Sequence, residues 1–132
     1  MERNNKKNYL LYYVGGKFRI ASWIIAHFIR HKIYVEVFGG AGHILLQKTE
    51  SYLEVYNDIN GDLVNLYKII LDNPEKFFER ALYLPYARKL YYDWVKEWKE
   101  GKKGKNDFER ALRYFSLSGM SFSGKFGTNW GY

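Results

Sequence analysis

Asp58, Gly40 and Gly42 have the residue types and spacing to hold a nucleoside. A carboxylate offers acceptors to the two hydroxyls of a ribose, and glycine leaves backbone bare where a Cβ would stand in the way of a ligand. Asp58 follows Gly40 by 18 residues, near the interval of about 20 that separates a phosphate-side glycine turn from a ribose-side acid in nucleotide-binding half-folds. The segments between them fit that scheme. Ile33 to Phe38 alternates β-branched and aromatic residues and reads as a strand, residues 43–48 favour a helix, and Tyr52 to Tyr56 favours a second strand. The third glycine of a dinucleotide fingerprint would fall at position 45, which is Leu45, so a nicotinamide or flavin cofactor is disfavoured. Asp58 has an alternative role as a helix N-cap. Glu36 is either a buried strand acid facing a ligand cation or an edge residue.

Other chemistries have little support. The chain lacks cysteine, which excludes disulfides and thiolate metal sites. His27 and His31 are four apart on an expected helix, but no glutamate accompanies them in an HExxH arrangement and no further ligand is near, so no metal site is expected. His43 reads as a helix-start residue, and no serine or cysteine nucleophile arrangement stands out. The net charge of +7 is uneven. Residues 1–48 carry eight basic and two acidic side chains, residues 49–85 three and seven, and residues 86–132 ten and five. Two basic flanks around an acidic centre suit a polyanionic partner. No apolar run is long enough to span a bilayer and no signal peptide is evident, so a cytoplasmic location is expected.

The remaining elements must position these groups. Asn4 to Asn8 is a polar lead-in and Tyr9 to Val14 an extended segment. Gly15-Gly16 precedes a helix from near Lys17 to about His31, with Ile20, Trp23, Ile24, His27 and Phe28 on one face. Leu63, Leu66, Tyr67 and Ile70 mark a helix over 61–71, and Asn73-Pro74 caps and restarts the next, over 75–83. After Leu84-Pro85, the stripe Leu90, Tyr91, Trp94, Val95 and Trp98 predicts a core-facing helix over 87–99. A basic loop, 101–105, leads to Asn106, which with Glu109 forms a capping-box pattern for a helix over 107–117 that buries Phe108, Ala111, Leu112 and Phe115, with Gly119 as its stop. Residues 121–132, rich in glycine, serine and aromatics, read as a loop or hairpin arm. Arg110, Arg113, Phe122, Lys125, Phe126 and Trp130 are suited to phosphate contact and base-step insertion, or else the aromatic ones belong to the core.

Phe38-x-Gly40-x-Gly42 matches the turn of S-adenosylmethionine-dependent methyltransferases. Together with Tyr13-Val-Gly-Gly-Lys17, Asn57-Asp-Ile-Asn60 and Ser121-Phe-Ser-Gly124, it resembles the D12 class of adenine-specific DNA methyltransferases, the Dam-like enzymes, over nearly the whole chain. The resemblance implies an α/β fold: a partial Rossmann-like S-adenosylmethionine-dependent methyltransferase sheet from residues 1–72, and a helical DNA-recognition insertion from 73–132. It implies a methyl-donor site bordered by Tyr13, Gly15, Gly16, Lys17, Glu36, Phe38, Gly40, Gly42 and Asp58. An aromatic face suits a sulfonium, lysine a methionyl carboxylate, and aspartate two sugar hydroxyls. It also implies that Arg113, Ser121, Phe122, Ser123 and Lys125 contact double-stranded DNA.

The sequence departs from the family at two places. The Asp-Pro-Pro-Tyr tetrad that binds the target adenine's amino group is absent, the only prolines being Pro74 and Pro85, and Leu117-Ser-Gly119 stands where an Asn-Arg pair is frequent. No catalytic residue is assigned. The expectation is an incomplete unit, inactive alone: a fragment, a truncated gene product, or one piece of a split enzyme whose second chain carries the tetrad. The alternative is a non-catalytic DNA-binding module on a degenerate nucleotide fold.

Overall fold

Ile33–Glu36 and Leu53–Tyr56 form two strands, β1 and β2, which pair in parallel with Ile33 opposite Leu53 and Glu36 opposite Tyr56. The computed structural model that shows this describes residues 10–131. The polar lead-in and the start of the extended segment expected over Tyr9 to Val14 lie outside the described residues, as does Tyr132. Contacts divide the chain into two units, one built on Gly15–Ile59 and the other on Leu11–Val14 with the chain from Asn60 onward. α2 (Gly61–Asp72) packs principally on a helix of the second unit.

In the first unit the short helix α1 covers only Ala21–Ala26, where a helix from Lys17 to His31 was expected. The β-branched Ile20, Ile24 and Ile25 favour helix weakly, and no side chain caps its first turn. Residues 43–48 make turns and no regular helix. Leu46 and Lys48 donate to the carbonyls four residues back, but the Leu45 N–H is drawn to Glu36 Oε1 at 3.0 Å, which interrupts the ladder. The sheet is pinned at its start by Lys48. Its ammonium, buried on the side chain, pairs with Glu54, donates to Ser51 Oγ and lies 4.6 Å over the Tyr34 ring. The Lys48 hydrogen bond holds the Glu54 carboxyl below its ordinary value. Parallel strands normally have both faces covered, yet Ile33 and Val35 of β1 are 58% and 50% exposed.

The second unit is helical. α2 is followed by α3 (Pro74–Leu82), α4 (Arg88–Lys99) and α5 (Asp107–Met120), against which α2, α3 and α4 all pack. Asn73 caps α3 through Lys76 N–H, and Asn106 caps α5 through Glu109 N–H at 2.8 Å. Glu109 reaches back one residue further than a capping box requires, to Lys105 N–H. α5 runs through Gly119, since that glycine keeps a helical conformation and its carbonyl accepts from Tyr86 Oη at 2.6 Å. Fully buried Phe77 meets Phe78, Phe108 and Phe115 edge-on. Tyr91, Val95, Leu117 and Met120 form a second cluster, on which Trp94, Trp98, Phe126 and Trp130 pack.

Candidate functional site

In the first unit, the ends of β1 and β2 create a backbone bend of fixed shape. Asn57 N–H donates to Glu36 O, Gly39 N–H to Asn57 O and Gly42 N–H to Gly39 O, each at 2.8 Å. Gly40 (φ 52°) and Gly42 (φ 60°) take the left-handed conformation that glycine adopts without steric cost. The bend is strapped to the second strand by side chains as well. Asp58 Oδ2 accepts from Gly40 N–H at 2.8 Å, Tyr56 Oη donates to Gly40 O at 2.6 Å, and Asn57 Nδ2 donates to Val37 O at 2.9 Å.

These bonds decide between the alternative roles of Asp58. Asn60 is the N-cap of α2, accepting from Asp62 and Leu63 N–H, while Asp58 holds the glycine bend. Glu36 is half-buried at the end of β1. Its Oε1 accepts from Tyr34 Oη at 2.8 Å and from Leu45 N–H, and its Oε2 is buried without a hydrogen-bond partner among the described residues. A buried carboxylate oxygen left in this state is costly unless a cation or donor arrives. Burial and the Glu36 bond push the Tyr34 phenol well above its ordinary pKa, so Tyr34 remains a donor.

The structure thus brings Glu36, Gly40, Gly42 and Asp58 together. Phe38, 90% exposed, stands on the bend itself. Gly15, Gly16 and Lys17 are exposed, with the Lys17 ammonium on Gly15 O at 3.0 Å. The next residue, Phe18, meets His43 edge-on at 5.7 Å, so the lysine segment and the residue after the bend touch. Gly39 was missing from the expected set, yet it has no room for a side chain. A Cβ there would lie 2.2 Å from Tyr56 Cε2. The Gly-Gly pair and the strand-end tyrosine carried that signal.

In the second unit Tyr13 lines a half-open cavity of about 350 Å³ with Asn60, Tyr114, Ser118 and Phe126. Asn60 Nδ2 donates to Tyr114 Oη, and the Tyr114 and Phe126 rings stack at 4.9 Å. Of these partners of Tyr13, Asn60 belongs to the Asn57-Asp-Ile-Asn60 motif, while Tyr114 and Ser118 have no motif that marks them in sequence. They meet through the fold. The arm expected over 121–132 is a short antiparallel closure. Ser121 bridges Trp130, and Phe122 N–H donates to Asn129 O around the 3₁₀ turn Phe122–Gly124. Ser123 (φ 53°) holds a left-handed conformation uncommon for a non-glycine residue.

The arm sorts its candidate DNA contacts. Phe122 is 62% exposed, and Ser123 and Lys125 are exposed. Phe126 and Trp130 pack on the core instead. Ser121 and Arg113, also expected at the DNA, have intramolecular partners. Ser121 Oγ is buried, donates to Leu117 O at 2.6 Å and accepts from Gly127 N–H, which makes Tyr91 Oη the donor of their shared bond. The Arg113 side chain is 14% exposed, joins Glu97 to Glu109 and covers the Trp94 ring. Arg110 is likewise paired, with Asp62 and Asp107.

Among the described residues no cluster of His, Asp or Glu is able to hold a metal ion, and no helix is long and apolar enough to cross a membrane. The family model described as D12 class N6 adenine-specific DNA methyltransferase matches residues 13–130. The DNA adenine methylase of Escherichia coli (strain K12) is 28% identical over 123 residues, 90% of this chain and 43% of that protein. The proteins of the same name from Vibrio cholerae (strain ATCC 39541 / Classical Ogawa 395 / O395) and Haemophilus influenzae are 27% and 30% identical, over 90% and 86% of this chain. The chain spans less than half the length of these relatives.

Proposed function

Because this chain belongs to the D12 class N6 adenine-specific DNA methyltransferases, we propose that its glycine bend holds S-adenosylmethionine for methyl transfer to adenine in double-stranded DNA. The observation that carries this reading is the bend pinned by Asp58 and Tyr56 beside a buried, partnerless oxygen of Glu36. The donor set fits the cofactor. Asp58 accepts the ribose hydroxyls, Glu36 Oε2 meets the methionyl ammonium, Lys17 meets the carboxylate, and Phe38 supplies an aromatic face for a sulfonium. When bound, S-adenosylmethionine would supply an electrophilic methyl group for adenine N6. The chain's own residues bind and orient. Phe122, Ser123 and Lys125 face the duplex, with Lys125 on phosphate and Phe122 at a base step.

The two parallel strands, taken with the loops and helices around them, form part of a Rossmann-like sheet in this reading. Their half-exposed apolar side chains are covered by further polypeptide, either in the same protein or in a second chain, and that polypeptide supplies the Asp-Pro-Pro-Tyr group. This chain alone therefore binds donor and DNA without transferring the methyl. A ligand that binds only the folded state stabilises it by RT ln(1 + [L]/Kd), about 2.7 kcal/mol at a hundredfold excess over Kd. S-Adenosylmethionine or its demethylated product should raise the unfolding midpoint of the wild type, and NAD or ATP should not. Asp58→Asn keeps an acceptor for Gly40 N–H but removes the charge, and should lose most of that increase while retaining the fold. Absence of a shift with either donor ligand, or a shift in Asp58→Asn as large as in the wild type, would refute the assignment. Salt-dependent DNA binding with no donor response would favour the non-catalytic module.

A further inference from the structure

The segment from Arg88 to Lys105 holds seven basic and three acidic side chains, and α4 sorts them by face. Tyr91, Val95 and Trp98 turn inward to the second core cluster. At about 100° per residue, Arg88, Tyr92, Lys96 and Lys99 fall within a sector of about 80° on an adjoining face. The acids of this region are already engaged. Asp93 pairs with Lys89, Glu97 with Arg113 and Glu100 with Lys102. The Lys102 hydrogen bond holds the Glu100 carboxyl below its ordinary value. Arg88, Lys96 and Lys99 form no ion pair among the described residues.

The face is also shaped. The Arg88 guanidinium lies over the Tyr92 ring at 5.7 Å, which restricts an otherwise mobile side chain. Beside it, Tyr92, Lys96, Lys99 and Glu100 border an open groove of about 410 Å³ floored by buried Val95. Arg88 and Lys99 are eleven residues apart, a rise of about 16 Å, the axial reach of about five phosphates on one strand of a duplex.

We infer that the Arg88–Tyr92–Lys96–Lys99 face of α4 is a second contact with duplex DNA, gripping the phosphate backbone independently of base sequence. The inference rests on the DNA-directed reading above and adds a surface to it. The arm contributes one exposed cation, Lys125. The helix face contributes three, none of them in an ion pair among the described residues, with Arg88 held over the Tyr92 ring. Cations that neutralise phosphates release counterions, so each adds about 0.9 to the steepness of log K against log salt for B-form DNA.

The test is fluorescence anisotropy of a labelled duplex titrated with the 132-residue chain at several salt concentrations. Replacing Arg88, Lys96 and Lys99 together by glutamine should lower the slope magnitude by about 2.7 and weaken binding equally for unrelated sequences. Lys68→Gln, an exposed cation on α2, should leave the slope unchanged. Phe122→Ala should weaken affinity with the slope retained. An unaltered slope in the triple variant, with Phe122→Ala still weakened, overturns the α4 contact and leaves the DNA reading intact. No salt-dependent duplex binding by the wild type overturns both. An effect equal per charge in Lys68→Gln shows a merely solvated basic surface. A slope change confined to double-stranded RNA overturns the assignment to DNA.

Discussion

Alanine at position 39 is expected to cost about 2–4 kcal/mol of stability and to abolish the donor response, although it adds only a methyl group. The added Cβ would stand 2.2 and 2.5 Å from Tyr56 Cε2 and Cδ2. The ring has no inexpensive way out, because its hydroxyl donates to Gly40 O at 2.6 Å and the Gly39 amide is itself held by Asn57 O. Either the ring leaves and its hydrogen bond is lost, or the bend opens and Asp58 loses Gly40. Chemical unfolding and donor titration of Gly39→Ala would show both effects. The double variant Gly39→Ala with Tyr56→Ala identifies the cause. In the Tyr56→Ala background the glycine substitution should cost less than about 1 kcal/mol, a strongly non-additive result for residues in contact. Additive costs would mean that the ring contact is not what position 39 requires.

Phe77→Ala should be the most destabilising single truncation in the helical unit. Phe77 is fully buried, and its ring meets Phe78, Phe108 and Phe115 at centroid distances of 5.5–6.1 Å. Loss of a buried phenyl ring typically costs about 3–5 kcal/mol in transfer and cavity terms. That is a large share of the roughly 5–15 kcal/mol that holds a domain together, and the midpoint of thermal unfolding should fall by on the order of 10 °C. Below that midpoint the intrinsic DNA affinity of the folded fraction should be unchanged, since Phe77 lies on neither the arm nor the outer face of α4. A loss under about 1.5 kcal/mol would show that the cavity collapses, and would contradict the packing described.

Much of the scaffold was legible because local chemistry and tertiary packing agree there. The strand positions follow the β-branched residues, and α3 and α5 start where the Asn73 and Asn106 side chains accept the capping hydrogen bonds. Three departures have tertiary causes. The expected helix after the bend is broken because Glu36, seven residues before it begins, takes the Leu45 amide. α5 continues past Gly119 because Tyr86, more than thirty residues away, supplies a donor to its end. Arg113 is basic and near the arm, as a phosphate contact should be, yet Glu97 from α4 claims it. Residue type suggested its charge and could not show the partner. At the site, the same limit applied to Asp58: the glycine spacing marked it, while its bond to Gly40 needed the parallel register of β1 and β2.

The central claim is that the bend anchored by Asp58 is where the methyl donor sits. The most direct measurement is an amide chemical-shift map of the labelled chain titrated with S-adenosylhomocysteine. Saturable shifts, largest at Gly39, Gly40, Gly42 and Asp58 and absent in Asp58→Asn at the same ligand concentration, are the predicted result. Shifts that centre elsewhere, or none at millimolar ligand, would contradict it.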